Sequence, residues 1–302
     1  MKIKSDNTRT QGISFMILSS VFYGLYGVWA KLMGDSFDPF SQAALRSLLI
    51  ISVLGLILAA KKQSLLPNFK RDWKLLLLFL LAGLLIAGPS YYSVNAIGVG
   101  LSTLIFYVSL LLTMFIFDIV RDKKERTFIN AVAIGLAIGG MILVTNFHST
   151  QLNWFGIVAA VVSGFGVGVD LIVSKYLKAS TMHIALWTWS AAAISNVIIV
   201  LLIGATVPAT SSYGLWSIVV LFAATSLFSS YFSISGVKLI NAGLAGLLGL
   251  LEIVFAIIFG IVLFDEPLTE AILLGSVCII IAAAIPDAHL LWTKRQLKLE
   301  QS

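Results

Sequence analysis

Charged residues are scarce in this 302-residue chain, and that scarcity excludes most soluble proteins. Asp, Glu, Lys and Arg make up 11% of the residues and hydrophobic residues 59%, whereas soluble domains have about 25% and about 45–50%. A soluble fold of this length needs more polar surface than these residues supply. Apolar side chains can instead face lipid, so the composition predicts an integral membrane protein.

Cysteine and histidine are also rare, which excludes several kinds of site. Cys278 is the only cysteine, so no intramolecular disulfide can form. The histidines lack metal-ligand spacing; they are His148, His183 and His289. No phosphate-binding loop occurs, so we expect neither a metal nor a cofactor. The net charge of +6 does not indicate a nucleic-acid partner, because Lys and Arg occur in short clusters between apolar runs.

Ten apolar runs are each long enough to cross a ~30 Å hydrocarbon core, which takes about 20 helical residues. They lie at 12–33, 40–60, 73–95, 101–120, 128–146, 153–174, 182–204, 214–237, 243–264 and 268–291. The first run is too long for the apolar part of a cleaved signal peptide, so we interpret it as a retained span. The predicted fold is an all-α membrane protein with ten transmembrane helices and short loops.

The basic loop residues predict the orientation of these spans. Lys and Arg collect in alternate connections, at 2–9, 61–74, 121–126, 175–178, 238 and 294–298. The remaining connections are acidic or neutral and contain Asp35, Asp38, His148, Asp265 and Glu266. Because basic loops stay on the cytoplasmic side, we expect both termini in the cytoplasm and the chain in the cytoplasmic membrane.

Residues recur between the two halves of the chain. Gly12, Gly24 and Lys31 recur at one constant offset as Gly156, Gly168 and Lys175, and Glu125 and Gly135 recur at nearly that offset as Glu266 and Gly275. Each half holds five spans, an odd number, so a duplication would make the halves inverted. We therefore predict two inverted repeats, 1–148 and 149–302, an arrangement typical of transporters.

Several motifs make the chain similar to a known family. They are Arg46, the segment Leu-Ser-Thr-Leu-Ile-Phe-Tyr at 101–107, Leu-Glu-Ile-Val-Phe-Ala at 251–256, Phe-Asp-Glu-Pro-Leu-Thr at 264–269, and Gly275. The chain resembles the EamA-type ten-helix members of the drug/metabolite transporter superfamily. It departs from them where leucines at 110–112 and Ile253 replace the family's usual prolines. The resemblance implies transport of amino acids, related metabolites or toxic compounds, most often outward.

Ionisable residues inside spans are costly and are candidates for function. Glu252 lies about midway along the ninth span, roughly 15 Å from either face. We interpret it as a partner for a substrate ammonium or a proton-coupling site; the alternative is a structural hydrogen bond to a neighbouring helix. Arg46 lies about two turns into the second span. It is expected to have a structural role, by reaching the interface or binding an acidic group, or else to contact substrate.

Five further charged residues lie near span ends. Asp170 precedes Lys175 by five residues and Asp118 precedes Arg121 by three, which predicts local charge pairs at the inner interface. Lys31 and Lys175 are related by the repeat and would lie at opposite faces, so a role at the gates is an alternative for them.

Aromatic and polar side chains inside the spans complete the candidate site. The proposed cavity-lining residues are Tyr23, Tyr26, Tyr91, Tyr92, Asn95, Tyr107, Trp189, Ser230 and Tyr231. Aromatics near span ends usually mark the membrane interface, whereas deeper ones can bind a cation or a planar ring. We also expect a helix break at Gly88-Pro89.

The function predicted from these features is secondary transport of a small metabolite by alternating access, with protons as an expected coupling partner. Import of a cationic metabolite is the alternative within transport. An intramembrane enzyme would need clustered reactive side chains near one face, which the sequence lacks. A scaffold without transport would not require a buried glutamate or an inverted repeat. An ion channel is not indicated, because the sequence lacks a loop that resembles a selectivity filter.

Overall fold

The computed structural model describes residues 6–33, 36, 38–66, 69–122, 127–145, 153–204 and 213–299, and all the regular secondary structure within those ranges is helical. The helices are α1 (Asp6–Gly24), α2 (Tyr26–Met33), α3 (Pro39–Ala60), α4 (Phe69–Ile97), α5 (Val99–Asp122), α6 (Thr127–Thr145), α7 (Trp154–Tyr176), α8 (Thr181–Ile203), α9 (Tyr213–Leu239), α10 (Ala242–Gly249), α11 (Leu251–Phe264) and α12 (Glu270–Leu299). The predicted residues Asp35, Glu125 and His148 lie outside the described ranges.

The helices confirm a multi-pass membrane protein. In the described part of the chain, nine helical stretches are long and apolar enough to span a bilayer, and they match the first nine predicted runs. The first span consists of α1 and α2, the ninth of α10 and α11, and α3 to α9 are the second to eighth. The tenth, α12, has a shorter apolar stretch, Glu270–Pro286.

Local sequence explains where many of the helices begin and end. Pro39 occupies the first turn of α3, and the Asp38 carboxylate before it accepts hydrogen bonds from Phe40 N and Ser41 N. Gly98, with φ +80°, separates α4 from α5, and Gly204, with φ 67°, ends α8. Both glycines adopt a left-handed conformation that other residues rarely take.

The predicted break at Gly88-Pro89 is wrong, because α4 continues through Pro89 to Ile97. Proline inside a membrane helix is tolerated where neighbouring helices supply polar contacts. Such a contact occurs in the preceding turn, where the Ser163 hydroxyl of α7 donates to the carbonyl of Ile86 at 2.9 Å.

Two other spans are interrupted although the sequence predicts continuous helices there. The first span breaks at Leu25, and the ninth breaks at Leu250. At the second break, Leu250 N donates to the carbonyls of Gly246 and Leu247, and Ile253 N donates to Leu250 O. The bonds to Leu247 O and Leu250 O span three residues instead of four, so they tighten the helical turn that contains Glu252.

The packing of the spans relates the two halves of the chain. Each span of the first half can be compared with the span five positions later in the second half. The third span packs against the sixth, and correspondingly the eighth packs against the first. The fourth span also packs against the sixth, and correspondingly the ninth packs against the first. The second span also packs against the seventh, and the fifth against the tenth. Exchanging the two halves therefore leaves this set of contacts unchanged.

Equivalent glycines allow these close crossings. A Cβ at Gly12 would lie 2.6 Å from Ile240 Cγ2, and one at its counterpart Gly156 would lie 2.7 Å from Ile97 Cγ2. Small residues at such positions let helix backbones approach in a membrane.

Candidate substrate site

The first, seventh and eighth spans place aromatic rings around the guanidinium of Arg46, which belongs to the second span. Its Cζ lies 4.2 Å from the ring centre of Phe222, 4.9 Å from that of Tyr26 and 5.7 Å from that of Trp189. Contacts at these distances are favourable cation–π interactions, and they strengthen when water is excluded. The three rings and Arg46 thus form an aromatic cage within the membrane.

The first span connects this cage to two carboxylates. The rings of Tyr23 and Tyr26 lie 5.2 Å apart, and Tyr23 is within electrostatic range of both Glu252 and Asp170. Asp170 is only 7% exposed, and its Oδ1 has no hydrogen-bond partner in the described chain. The site therefore holds a cation at Arg46 and carboxylates at Glu252 and Asp170, with Tyr23 within electrostatic range of all three.

Serines of the eighth span add polar groups to the same region. Ser229 Oγ lies 3.4 Å from the Tyr26 hydroxyl, and Ser230 Oγ accepts a hydrogen bond from Trp189 Nε1 at 2.9 Å. We call the assembled residues the central cluster: Tyr23, Tyr26, Arg46, Asp170, Trp189, Phe222, Ser229, Ser230 and Glu252.

The central cluster lies beside the two helix breaks. Tyr23 and Tyr26 flank the break at Leu25, and Glu252 follows the break at Leu250 by two residues. The Ser20 hydroxyl joins the two spans, because it contacts Leu248 O at 2.9 Å. Interrupted helices near the middle of the bilayer are a recurring feature of transporter binding sites.

Several predicted cavity residues lie away from the central cluster. Tyr91 and Tyr92 are exposed, at 36% and 49%, and Tyr91 packs edge-on against Phe40. Asn95 donates to the backbone of its own helix at Tyr91 O. None of these contacts involves a residue of the central cluster, so the structure does not join Tyr91, Tyr92 or Asn95 to it.

Two other predicted tyrosines have aromatic neighbours of their own. Tyr107 packs edge-on against Phe106, with ring centres 5.0 Å apart, and Tyr231 packs in the same way against Phe232 at 5.7 Å. Neither residue has a described ring or hydrogen-bond contact with the central cluster.

The two repeat-related lysines lie at helix ends. Lys31 Nζ pairs with Glu266 Oε1 at 2.8 Å and lies 4.2 Å from the ring centre of Phe264, so it connects the end of the first span to the end of the ninth. Lys175 Nζ donates to Ile240 O at 2.6 Å, between the eighth and ninth spans. Both contacts join separate spans.

The predicted pair of Asp170 and Lys175 is wrong. Five residues turn a helix through about 500°, so the two side chains leave from different faces. Asp170 lies within electrostatic range of Tyr23, whereas Lys175 donates a hydrogen bond to Ile240 O.

The predicted pair of Asp118 and Arg121 is also wrong. Asp118 accepts hydrogen bonds from Ala242 N at 3.3 Å and Gly243 N at 2.6 Å, while Arg121 lies 4.2 Å over the ring of Tyr176. The first N–H groups of α10 have no acceptor within their own helix, and in a membrane they must find one elsewhere.

The sequence prediction omitted two members of the central cluster. Phe222 forms the closest face of the cage, and Ser229 contacts Tyr26. A signal for the serines exists, since Ser226, Ser229, Ser230 and Ser233 recur at helical spacing on one face of the eighth span. For Phe222 the sequence offers no such signal among the 19 phenylalanines.

Comparison with known proteins gives matches to a family, to curated relatives and to a solved structure. The model of the EamA-like transporter family matches residues 10–146 and again residues 154–285. Two proteins named as uncharacterized transporters, from Helicobacter pylori strains J99 and 26695, are 22% and 21% identical over 173 residues. Each match spans 57% of this chain and 57% of the relative.

A solved protein crystal structure shares the fold. It superposes with a TM-score of 0.78 over 94% of this chain and 98% of its own, at 16% identity. At that identity the likeness describes the fold alone.

Proposed function

Because the chain belongs to the EamA-like transporter family, as its sequence motifs predict, we propose that it is a secondary transporter of a small metabolite, an amino acid or a related amine or organic compound. Transport proceeds by alternating access across the cytoplasmic membrane and is directed outward. The substrate binds at the central cluster.

The position of Glu252 is the observation that best supports this proposal. Its carboxylate lies half-buried in the middle of a span, beside a helix break and within electrostatic range of Tyr23. Within the described residues it makes neither a hydrogen bond nor an ion pair. The structural alternative, a hydrogen bond to a neighbouring helix, therefore finds no support. A carboxylate in such a place needs a proton or a cation to neutralise it.

Transport is coupled to protons if the proton and the substrate ammonium both bind to the Glu252 carboxylate. A substrate ammonium and a proton cannot occupy the Glu252 carboxylate together, so binding of one displaces the other. The other ionisable groups facing the site are Tyr23 and Tyr26 from the first span, Arg46 from the second and Asp170 from the sixth. Asp170 is the one carboxylate among them and can share this role.

The packing of the spans supports alternating access between two inverted repeats. Besides the exchange of contacts described above, one hydrogen bond recurs at equivalent positions. Ser19 Oγ donates from the first span to Ser229 O at 2.8 Å, and Ser163 Oγ donates from the sixth to Ile86 O at 2.9 Å. Two similar halves supply two similar states, one open to each side.

Removing the titration of Glu252 tests the proposed function. Glu252→Gln keeps the shape and hydrogen-bonding capacity of the side chain but cannot exchange a proton. In proteoliposomes screened against a metabolite panel, wild-type transport should depend on pH and on a pH gradient, and the variant should lose that dependence. Asp170→Asn, measured beside it, separates the contribution of the second carboxylate.

Glu270→Gln is the matched control, since this carboxylate is exposed in the first turn of α12. It should leave the pH profile unchanged. An unaltered profile in Glu252→Gln would assign Glu252 a structural role, and an absence of transport across the whole panel by the wild type would contradict the proposed function.

A further inference from the structure

Arg46 has aromatic neighbours but no acceptor. The rings of Phe222, Tyr26 and Trp189 surround the guanidinium. Its Nε is buried without a hydrogen-bond partner, and none of its N–H groups donates to an acceptor in the described part of the chain. No described carboxylate forms an ion pair with it either. Among the described residues, Arg46 is therefore a cation inside the membrane that forms no ion pair.

The cage satisfies only part of what a guanidinium requires. A ring that lies over the guanidinium interacts with its positive charge, whereas the five N–H donors need acceptors of their own. A bidentate carboxylate or a similar anion matches that fork in shape and charge. Buried donors left without an acceptor are costly, so this edge of Arg46 is suited to a ligand.

The carboxylates of the central cluster lie near Tyr23 rather than against the guanidinium of Arg46. Tyr23 is within electrostatic range of Glu252 and Asp170, and its ring lies 5.2 Å from that of Tyr26, which contacts Arg46. A ligand that spans the two tyrosines would meet a cation at one end and carboxylates at the other. A simple amine would satisfy the acidic end alone and leave Arg46 unpaired.

We infer that Arg46 is an anion subsite that binds the carboxylate, or an equivalent anionic group, of the transported metabolite. The inference rests on the proposed function and narrows it, because it requires the substrate to carry a negative group and excludes a purely cationic metabolite. The ammonium of a zwitterionic substrate then lies toward Glu252 and Asp170.

Pairs of probes that differ by one carboxylate test this assignment. The full chain in proteoliposomes is assayed with L-lysine and cadaverine, L-phenylalanine and phenethylamine, and L-tyrosine and tyramine. The wild type should transport the carboxylated member of a pair at least 10-fold more efficiently than the amine. This comparison needs no variant, so it stands even if substitutions at Arg46 impair folding.

Variants of Arg46 then assign the preference to this side chain. Losing a charge-assisted hydrogen bond corresponds to a decrease in affinity of about 10- to 100-fold. Arg46→Gln should show that loss for the carboxylated probe and little change for the amine. Arg46→Lys keeps the charge but not the planar fork, so it should restore part of the preference.

Arg121→Gln is the matched control, because this guanidinium also lies over an aromatic ring, 4.2 Å from the ring centre of Tyr176, but is exposed and outside the central cluster. It should not change the ratio between paired probes. Equal transport of amines and amino acids by the wild type would overturn the anion subsite and leave the proposed function intact. So would an Arg46→Gln variant that keeps the carboxyl preference. Transport by the wild type of no member of the metabolite panel, these six probes included, would contradict both.

Discussion

Replacing Gly164 by alanine tests how closely the fourth and sixth spans must approach. The added Cβ would overlap the carbonyl oxygen of Phe106, and it would lie 2.9 Å from the carbonyl carbon of that residue and 2.9 Å from Ser109 Cβ. The first two atoms belong to the backbone, so no rotamer change can remove the overlap. The two helices would have to separate.

The structure sets the expected size of this effect. Overpacking of a close contact costs about 1–3 kcal/mol, and alanine recovers about 1 kcal/mol through its higher helix propensity. Separation also stretches the hydrogen bond from Ser109 Oγ to Val161 O, which is 2.7 Å long at the same crossing. Such bonds are worth about 0.6 kcal/mol in membranes. We expect a net loss of about 0.6–2.6 kcal/mol.

Thermal unfolding of the detergent-purified variants measures this loss. A penalty of that size should lower the midpoint by several degrees, at roughly 2–4 °C per kcal/mol for chains of a few hundred residues. Gly135→Ala is the control, because a Cβ there meets nothing within 4 Å; it should be neutral or stabilising. If Gly164→Ala were as stable as Gly135→Ala, the close approach of these spans would be refuted.

Other contacts lead to further expected outcomes. The side chains of Lys31 and Glu266 are about half exposed, at 50% and 51%, so Lys31→Met should change the free energy of unfolding by less than about 1 kcal/mol. The same variant should alter the transport rate, and exchanging the two charged residues should restore that rate. Ser19→Ala and Ser163→Ala each remove one of the equivalent hydrogen bonds and should lower stability by similar amounts, about 0.6–1 kcal/mol, in thermal unfolding; a large inequality would argue against equivalent halves. For topology, cysteine labelling in intact cells should modify position 266 and spare the loop at 61–66, and modification of that loop would contradict the cytoplasmic orientation.

Sequence reasoning predicted the spans well because the signal for a span is local. Each run is a continuous apolar segment, and its limits are set by residues such as Asp38, Gly98 and Gly204 that act on their own backbone. The breaks at Leu25 and Leu250 were missed, although each follows a glycine. The chain holds 24 glycines, and others such as Gly55 and Gly139 lie inside continuous helices.

The candidate site was predictable only in part. The depth of a residue in the membrane can be inferred from its position within its own span, whereas its contacts with residues of other spans cannot. The midspan position of Glu252 marked it as a candidate without any structure. The contact of Arg46 with Phe222 depends on how the second and eighth spans pack, which no local pattern specifies. The same limit explains Tyr91 and Tyr92, whose chemistry suits a cavity but whose side of the helix is exposed.

The position of the central cluster follows from the requirement that backbone polar groups be satisfied inside a membrane. An interrupted helix exposes carbonyls and N–H groups that lipid cannot bind, so a break is stable only where other spans bring polar side chains to it. Ser20 does this for the ninth span by contacting Leu248 O. A place that tolerates an interrupted backbone for this reason can also tolerate a carboxylate. Glu252 follows the break by two residues, so the helix interruption and the candidate site depend on the same polar surroundings.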